Sequence, residues 1–357
     1  VAVFHYSNPR VIHWGAGSLA RLGDEVERLK VERAAIVTTR SLLTARSAVT
    51  GAELIARLRE AMGGAASPLT FQIGQHAPLG EVETAIDRAA DAGVDGVVSF
   101  GGGSPIDAAK MIAVRVADRR GHAERGLPHV AVPTTLSVAE LAAGAGFTDA
   151  SGAKGGVRDP RLMPDAVIYD AELALNTPMQ LWLSTGIRAL DHAIEGFLAE
   201  GEHPFSDVMG LEAVRRLFQT LPQAKARPKD LAVRTANQLA AWFSFTLPGA
   251  SASGLSHVMG KQIGARHRIP HGVTSCLLLP HVIRYLAPSH AERIKELAAA
   301  TGGDDAAGAV QNLIGELGLP QHIAEFGIGE PELRRAASEL AGKYPAEDLL
   351  KIYTAAL

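Results

Sequence analysis

The apolar positions of this chain follow two rhythms. Up to about residue 170 they form short β-branched runs that alternate with helical stretches across Gly- and Asp-bearing turns, which is the pattern of an α/β domain. Ala34–Thr39 (AAIVTT) predicts a buried strand, Glu81–Ala92 a helix, Gly96–Phe100 (GVVSF) a strand, Pro105–Asp118 a helix and His129–Val132 (HVAV) a strand. Strands alternating with helices in this order predict right-handed crossovers and a parallel sheet, with any ligand at the carboxyl ends of the strands. From about Ala171 the pattern turns to long Ala/Leu-rich stretches, which predict helices over Pro178–Leu198, Ser206–Leu221, Leu231–Phe245 and Ala291–Thr301. The change falls near Val167–Leu173 (VIYDAEL). The expectation is an α/β domain over residues 1–170 and an all-α domain over residues 171–357.

A length of 357 residues fits about two domains. Lys and Arg number 35 against 38 Asp and Glu, a formal charge of -3, and 47% of residues are hydrophobic. That balance excludes a disordered chain and a whole-surface polyanion binder, so nucleic acid is not an expected partner. No window holds the ~18 uninterrupted apolar residues of a membrane span, and the opening VAVFHYSNPRVIHWGAG lacks a basic flank followed by an apolar run. The single cysteine, Cys276, cannot form an intramolecular disulfide. This suits a reducing compartment and makes the cytoplasm the default expectation, though a cysteine-poor exported protein also fits.

Directly after the strand GVVSF stands Gly101-Gly102-Gly103-Ser104-Pro105-Ile106-Asp107. Three glycines allow close backbone approach, Ser104 can cap a helix, and Pro105 suits its first position. The bare amides of such a helix start form a site for a diphosphate. An ordinary tight turn would use the same residues. After HVAV come Thr134, Thr135 and Ser137, hydroxyls suited to a ribose or a carboxamide and equally to turn chemistry.

The helical half carries the imidazoles. Arg188 and His192 stand at i,i+4, as do His257 and Lys261, and His271 follows in the rigid turn Ile269-Pro270-His271-Gly272. Three histidines therefore become candidates for one site.

Taken in order, FGGGSPIDAAK, VPTTLSVAE, STGIRALDHAIEG, GLSHVMGK and IPHGVTSCLLLPHVIRY resemble the iron-containing (group III) alcohol dehydrogenase family over nearly the whole chain. The resemblance implies a dehydroquinate synthase-like fold, with a nucleotide-binding α/β domain, a helical substrate and catalytic domain, and an active site in the cleft between them. It implies NADH or NADPH as cofactor, its diphosphate held by Gly101, Gly102, Gly103 and Ser104, with Thr39, Asp107, Thr134, Thr135, Ser137 and Lys154 as further cofactor contacts. It also implies a homodimer. Metal-dependent members hold iron or zinc with one aspartate and three histidines. The histidine positions correspond to His192, His257 and His271, but the aspartate position is Arg188, and a further histidine of many members is Lys261.

Within the family the maleylacetate reductases, enzymes of aromatic-compound catabolism, also depart from the aspartate ligand. They are regarded as metal-independent and act on a 2-ene dicarboxylate. The chain is similar to them in length and in His76-Ala77-Pro78. The expected activity is thus NAD(P)H-dependent reduction of maleylacetate or a similar oxo-carboxylate. A cationic pocket of Arg188 and Lys261, ringed by His192, His257 and His271, would replace the metal: Arg188 anchors a carboxylate, and Lys261 or a histidine delivers the proton. Arg188 paired with Asp191 or Glu195 on its own helix is the competing placement. The alternatives are a zinc- or iron-dependent alcohol or aldehyde dehydrogenase and a dehydroquinate synthase-like lyase or cyclase. Arg40, after the second strand, leaves NADH and NADPH both open.

Overall fold

The computed structural model of the chain describes residues 9–122, 124–201, 203–246 and 254–357. The first residues of the opening segment, on which the leader and dimer expectations partly rest, lie outside the described residues. The chain divides into two units. Among the described residues, one comprises residues 9–178 together with Lys229–Gln238, the other Met179–Pro228 and the described residues of Leu239–Leu357.

The described strands are β1 (Val11–Trp14), β2 (Ala34–Thr38), β3 (Ala66–Gln72), β4 (Gly96–Gly101), β5 (His129–Pro133), β6 (Gly144–Thr148), β7 (Lys154–Arg158) and β8 (Ala166–Tyr169). Six of them form one parallel sheet in the order β1-β8-β5-β4-β2-β3, and β6 and β7 pair as an antiparallel hairpin. The burial of β2 explains the sheet's two-sided core. All five of its residues are buried. Ala34 and Ile36 pack with Leu22, Leu54, Leu58 and Phe100, whereas Ala35 and Val37 pack with Val82, Ile86 and Ile112. Alternate residues point to opposite faces, so an unbroken apolar run is what a strand covered on both sides requires.

Helices α1 (Leu22–Arg28), α2 (Arg40–Leu43), α3 (Leu54–Met62), α4 (Leu79–Asp91), α5 (Gly103–Arg119) and α6 (Ala171–Ala174) belong to this unit. After them come α7 (Met179–Phe197), α8 (Pro204–Ala226), α9 (Leu231–Ser244), α10 (Leu255–His267), α11 (His271–Leu286), α12 (Ala291–Thr301), α13 (Ala306–Leu317), α14 (Glu330–Leu340) and α15 (Ala346–Ala355), with no strand after β8 among the described residues. The fold is thus an α/β sheet domain followed by helices, as the resemblance implied. No described helix is long and apolar enough to cross a membrane.

Two features place the sites. The strand order turns at β2, which has β3 on one side and β4 on the other, and the glycine loop leaves the carboxyl end of β4 beside that turning point. Crevices at such points are where open α/β sheets bind ligands. The second is α7, in which every residue from Trp182 to Phe197 except Arg188 is buried. Polar side chains on such a helix must find partners inside the protein.

Glu140 is a buried carboxylate of the sheet unit and accepts a 2.8 Å hydrogen bond from Tyr169. Burial pushes its pKa from 4.5 up to about 7, against the lowering effect of Tyr169 and Lys110. The folded value lies above the unfolded one, so folding favours the protonated acid. Its contribution is complete below pH 4.5 and is lost as pH rises toward about 7. Glu140→Gln is expected to shrink the fall in unfolding free energy between pH 5 and pH 8 by on the order of 1–3 kcal/mol. Urea titrations at the two pH values check this, and an unchanged fall would place the titration elsewhere.

Candidate active site

The polar residues of α7 meet the start of α10 and the first two turns of α11. Asp191 is fully buried, and its Oδ2 accepts hydrogen bonds from Ser256 Oγ at 3.0 Å and Ser275 Oγ at 2.6 Å. Arg188 Nη1 stands 3.6 Å from the same oxygen and donates to Ser275 Oγ at 3.2 Å. One turn further along, Glu195 accepts the backbone N–H groups of Gly254 at 3.0 Å and His257 at 3.2 Å. Its Oε2 lies 2.5 Å from His257 Nδ1, which is 3.5 Å from Asp191 Oδ2. The Glu195 contact is an electrostatic one, since neither Nδ1 nor Nε2 of His257 has a hydrogen-bond partner among the described residues. The His192 and His257 rings lie 4.6 Å apart, and Phe245 closes on His192 edge-on at 5.0 Å.

Burial sets the charge states. It raises Asp191 to about 6, reinforced by Glu195, and Glu195 to about 7, opposed by Arg188. It drives His257 down to about 3 and His192 well below its ordinary value, Arg188 adding to both. Arg188 itself is lowered by burial, with Asp191 and Glu195 opposing. The cluster thus holds neutral imidazoles beside a guanidinium that is 14% exposed.

Of the residues expected here, Arg188, His192 and His257 come together. Arg188 takes the competing placement in part, paired with Asp191 through Nη1. Its Nε and Nη2 make no hydrogen bond or ion pair with a described residue. His271 is half-buried as the first residue of α11. Lys261 is exposed one turn after His257 and makes no hydrogen bond or ion pair with a described residue. Sequence reasoning left Asp191, Glu195, Ser256 and Ser275 out of the site. The available signal was their spacing: Asp191 and Glu195 lie at i+3 and i+7 from Arg188, Ser256 precedes His257, and Ser275 is one turn after His271.

In the sheet unit the glycine loop is built differently from the expected cap. α5 starts at Gly103 with Gly102 as its N-cap, so Ser104 and Pro105 lie inside the first turn. A glycine cap has no side chain to cover the first amides, which leaves them open to a ligand. Ser104 Oγ instead accepts the N–H of His76 at 2.9 Å. Gly101 has φ +142, and a Cβ there would lie 2.7 Å from the Pro105 ring. Thr134 N donates to Gly101 O at 2.8 Å, and Thr135 Oγ1 donates to Ser137 Oγ at 3.1 Å. Asp107 accepts the N–H of Gly146 at 3.1 Å in the hairpin that Lys154 continues as the first residue of β7. Lys154 is close enough to His76 to lower its pKa, although burial is the larger cause. Thr39 caps α2 through its backbone, and its hydroxyl pairs with Ser41 at 3.2 Å. A dinucleotide held by this loop, as the resemblance implies, is expected to show a KM raised about 10-fold or more in Gly101→Ala, since a side chain at that φ must displace the loop. Cofactor-titrated kinetics check it.

Comparison with known proteins covers both units. The family model "Iron-containing alcohol dehydrogenase" matches residues 9–171, and "Fe-containing alcohol dehydrogenase family, C-terminal" matches residues 182–346. A maleylacetate reductase of Rhizobium sp. (strain MTP-10005) is 31% identical over 337 residues, 94% of this chain and 90% of its own length. One from Pseudomonas aeruginosa is 31% identical over 344 residues, 96% of this chain and 92% of its own length. The crystal structure of maleylacetate reductase from Agrobacterium tumefaciens superposes with a TM-score of 0.88 at 28% identity, covering 100% of this chain and 99% of that one.

Proposed function

The chain belongs to the iron-containing alcohol dehydrogenase family, and from that membership we propose that it reduces maleylacetate or a similar oxo-carboxylate with NADH or NADPH and without a metal ion. That it is an NAD(P)-dependent oxidoreductase follows from the family. The substrate class rests on the maleylacetate reductases among its relatives. The observation that carries the metal-free reading is Arg188, a nearly buried guanidinium where metal-dependent members are expected to carry an aspartate.

The donor set does not fit a divalent ion. Asp191, Glu195 and His257 offer ligand atoms within 4.8 Å of one another, but both carboxylates are engaged. Asp191 Oδ2 holds two serine hydroxyls and the guanidinium, and Glu195 holds two backbone N–H groups and faces His257 Nδ1. An ion at ~4 Å from Arg188 would be repelled by on the order of 8 kcal/mol at an effective dielectric of ~20. The second reading, a metal-dependent alcohol or aldehyde dehydrogenase, draws on Asp191 Oδ1 and His192 Nδ1, both buried without a hydrogen-bond partner among the described residues.

A bound nicotinamide would supply a hydride to an enone carbon of the substrate, whose electron pair would move to its oxygen as an enolate until a proton completes the reduction. A fixed cation facing the developing charge needs no reorganisation as it forms. Arg188 keeps Nε and Nη2 for a substrate carboxylate, in the fork geometry that suits it. Lys261 is exposed, and His257, a neutral imidazole, would have to take a proton from solvent before passing it to the enolate. The glycine loop and the Thr134–Ser137 turn hold the cofactor, and Arg40, exposed at the start of α2, would favour a 2′-phosphate. Oxidation of NADH and NADPH at matched concentration with maleylacetate tests the reading. Turnover of simple alcohols but of no oxo-carboxylate would refute it, and a strong NADH preference would remove Arg40 as a phosphate clamp.

A further inference from the structure

One face of α5 pins the segment that follows β5. Ser104, Asp107 and Lys110 stand three residues apart on that helix and so share a face. Lys110 is fully buried, and its Nζ donates to the carbonyls of Ala139 at 2.5 Å, Ala142 at 2.7 Å and Gly144 at 2.8 Å. Asp107 Oδ1 lies 3.7 Å from that ammonium, while Oδ2 accepts the N–H of Gly146. An ammonium carries three N–H donors and no acceptor, so these carbonyls take its whole hydrogen-bonding capacity. Burial lowers the Lys110 pKa, with Asp107 and Glu140 opposing.

The segment held in this way contains a strained residue. Val138 has φ +54 and is buried. A β-branched side chain is a rare occupant of the left-handed region and persists there only where its surroundings impose it. The residues on either side of Val138 bear on the glycine loop. A Cβ at Gly102 would lie 3.1 Å from Thr135 Cγ2, and one at Gly103 would lie 3.6 Å from Ser137 Oγ and 3.7 Å from Ala139 Cβ. Ala139, whose carbonyl Lys110 binds, thus stands next to Val138 and against Gly103.

We propose that Lys110 is a positioning residue for the dinucleotide: its hold on Ala139, Ala142 and Gly144 keeps Val138 left-handed and sets Thr135 and Ser137 against the bare amides of the glycine loop. The proposal rests on the reading above that this loop and the turn at residues 134–137 hold the cofactor. A turn fixed before binding meets its ligand with little further loss of freedom, so loosening it weakens affinity even where the protein stays folded.

The test uses the full chain and two variants. Lys110→Met keeps the length of the side chain but no donor, and Lys110→Gln keeps two N–H donors but no charge. Kd for NADH and for NADPH is read from nicotinamide fluorescence at a temperature where circular dichroism shows each variant folded. It is expected to rise at least about 10-fold in Lys110→Met and by less in Lys110→Gln. Hydrogen exchange of peptides covering residues 134–146 is expected to be slow in the parent chain and at least about 10-fold faster in each folded variant, with β4 unchanged. A lysine that served stability alone would lower the melting temperature and leave Kd as it was; that result, or unchanged exchange in the segment, would overturn the proposal. Should neither variant fold, the parent chain decides: protected amides at residues 139–144 support the clamp, and freely exchanging ones overturn it. If the parent chain binds neither dinucleotide the cofactor reading fails by itself, and the exchange arm still decides whether Lys110 holds the turn.

Discussion

Replacing Arg188 with alanine is expected to raise the KM for an oxo-dicarboxylate by about 10- to 100-fold, the worth of a hydrogen-bonded charge pair, while a neutral aldehyde of similar size is little affected. The asymmetry follows from the way the guanidinium is held. Nη1 is tied to Asp191 and Ser275, which fixes the plane of the group. The remaining fork can then meet a carboxylate with little further loss of freedom. Arg188→Lys keeps the charge but loses the fork, and should fall between the parent and Arg188→Ala. Steady-state kinetics with both substrates on all three proteins check the ordering. Equal losses on acid and aldehyde would remove the anchoring role and leave Arg188 as a structural partner of Asp191.

The largest effect on stability is expected from Asp191→Ala, about 3–5 kcal/mol, the usual cost of leaving one member of a buried ion pair without its partner. Asp191 has no exposed surface, and its carboxylate gathers Arg188, Ser256 and Ser275 from three helices. Removing it leaves a guanidinium and two hydroxyls without their acceptor in a site from which water is largely excluded. Asp191→Asn retains an oxygen for the serines and should lose less. Urea unfolding monitored by circular dichroism gives both values. A loss below about 1 kcal/mol for Asp191→Ala would mean that Arg188 turns out to solvent at little cost.

What the sequence made legible divides along physical lines. β2, β4 and β5 were readable because strands buried on both faces are continuous apolar runs, and α7 and α12 because their Ala/Leu-rich stretches run unbroken. β6 (GAGFT) and β7 (KGGVR) were not, since glycine-rich strands lack the β-branched side chains that mark a strand. β3 begins Ala-Ser-Pro and has the same weakness. The start of α5 was placed two residues late, because Ser-Pro imitates a capped helix start when the true cap is a glycine.

In the site, motif order pointed to Arg188, His192 and His257. It did not reveal that Asp191 and Glu195 face the imidazole of another helix, because the spacing of charges along one helix says nothing about which face meets a neighbour. Lys261 shows the same limit from the other side. Its i,i+4 spacing from His257 is real, yet the structure buries one and exposes the other.

The central claim is that a guanidinium does here what a metal ion does in the metal-dependent relatives. Metal content and maleylacetate reductase activity, measured on one purified sample before and after exhaustive treatment with a strong chelator, test it most directly. Substoichiometric iron and zinc and unchanged turnover after chelation are expected. Stoichiometric zinc or iron whose removal abolishes activity, and whose return restores it, would contradict the account.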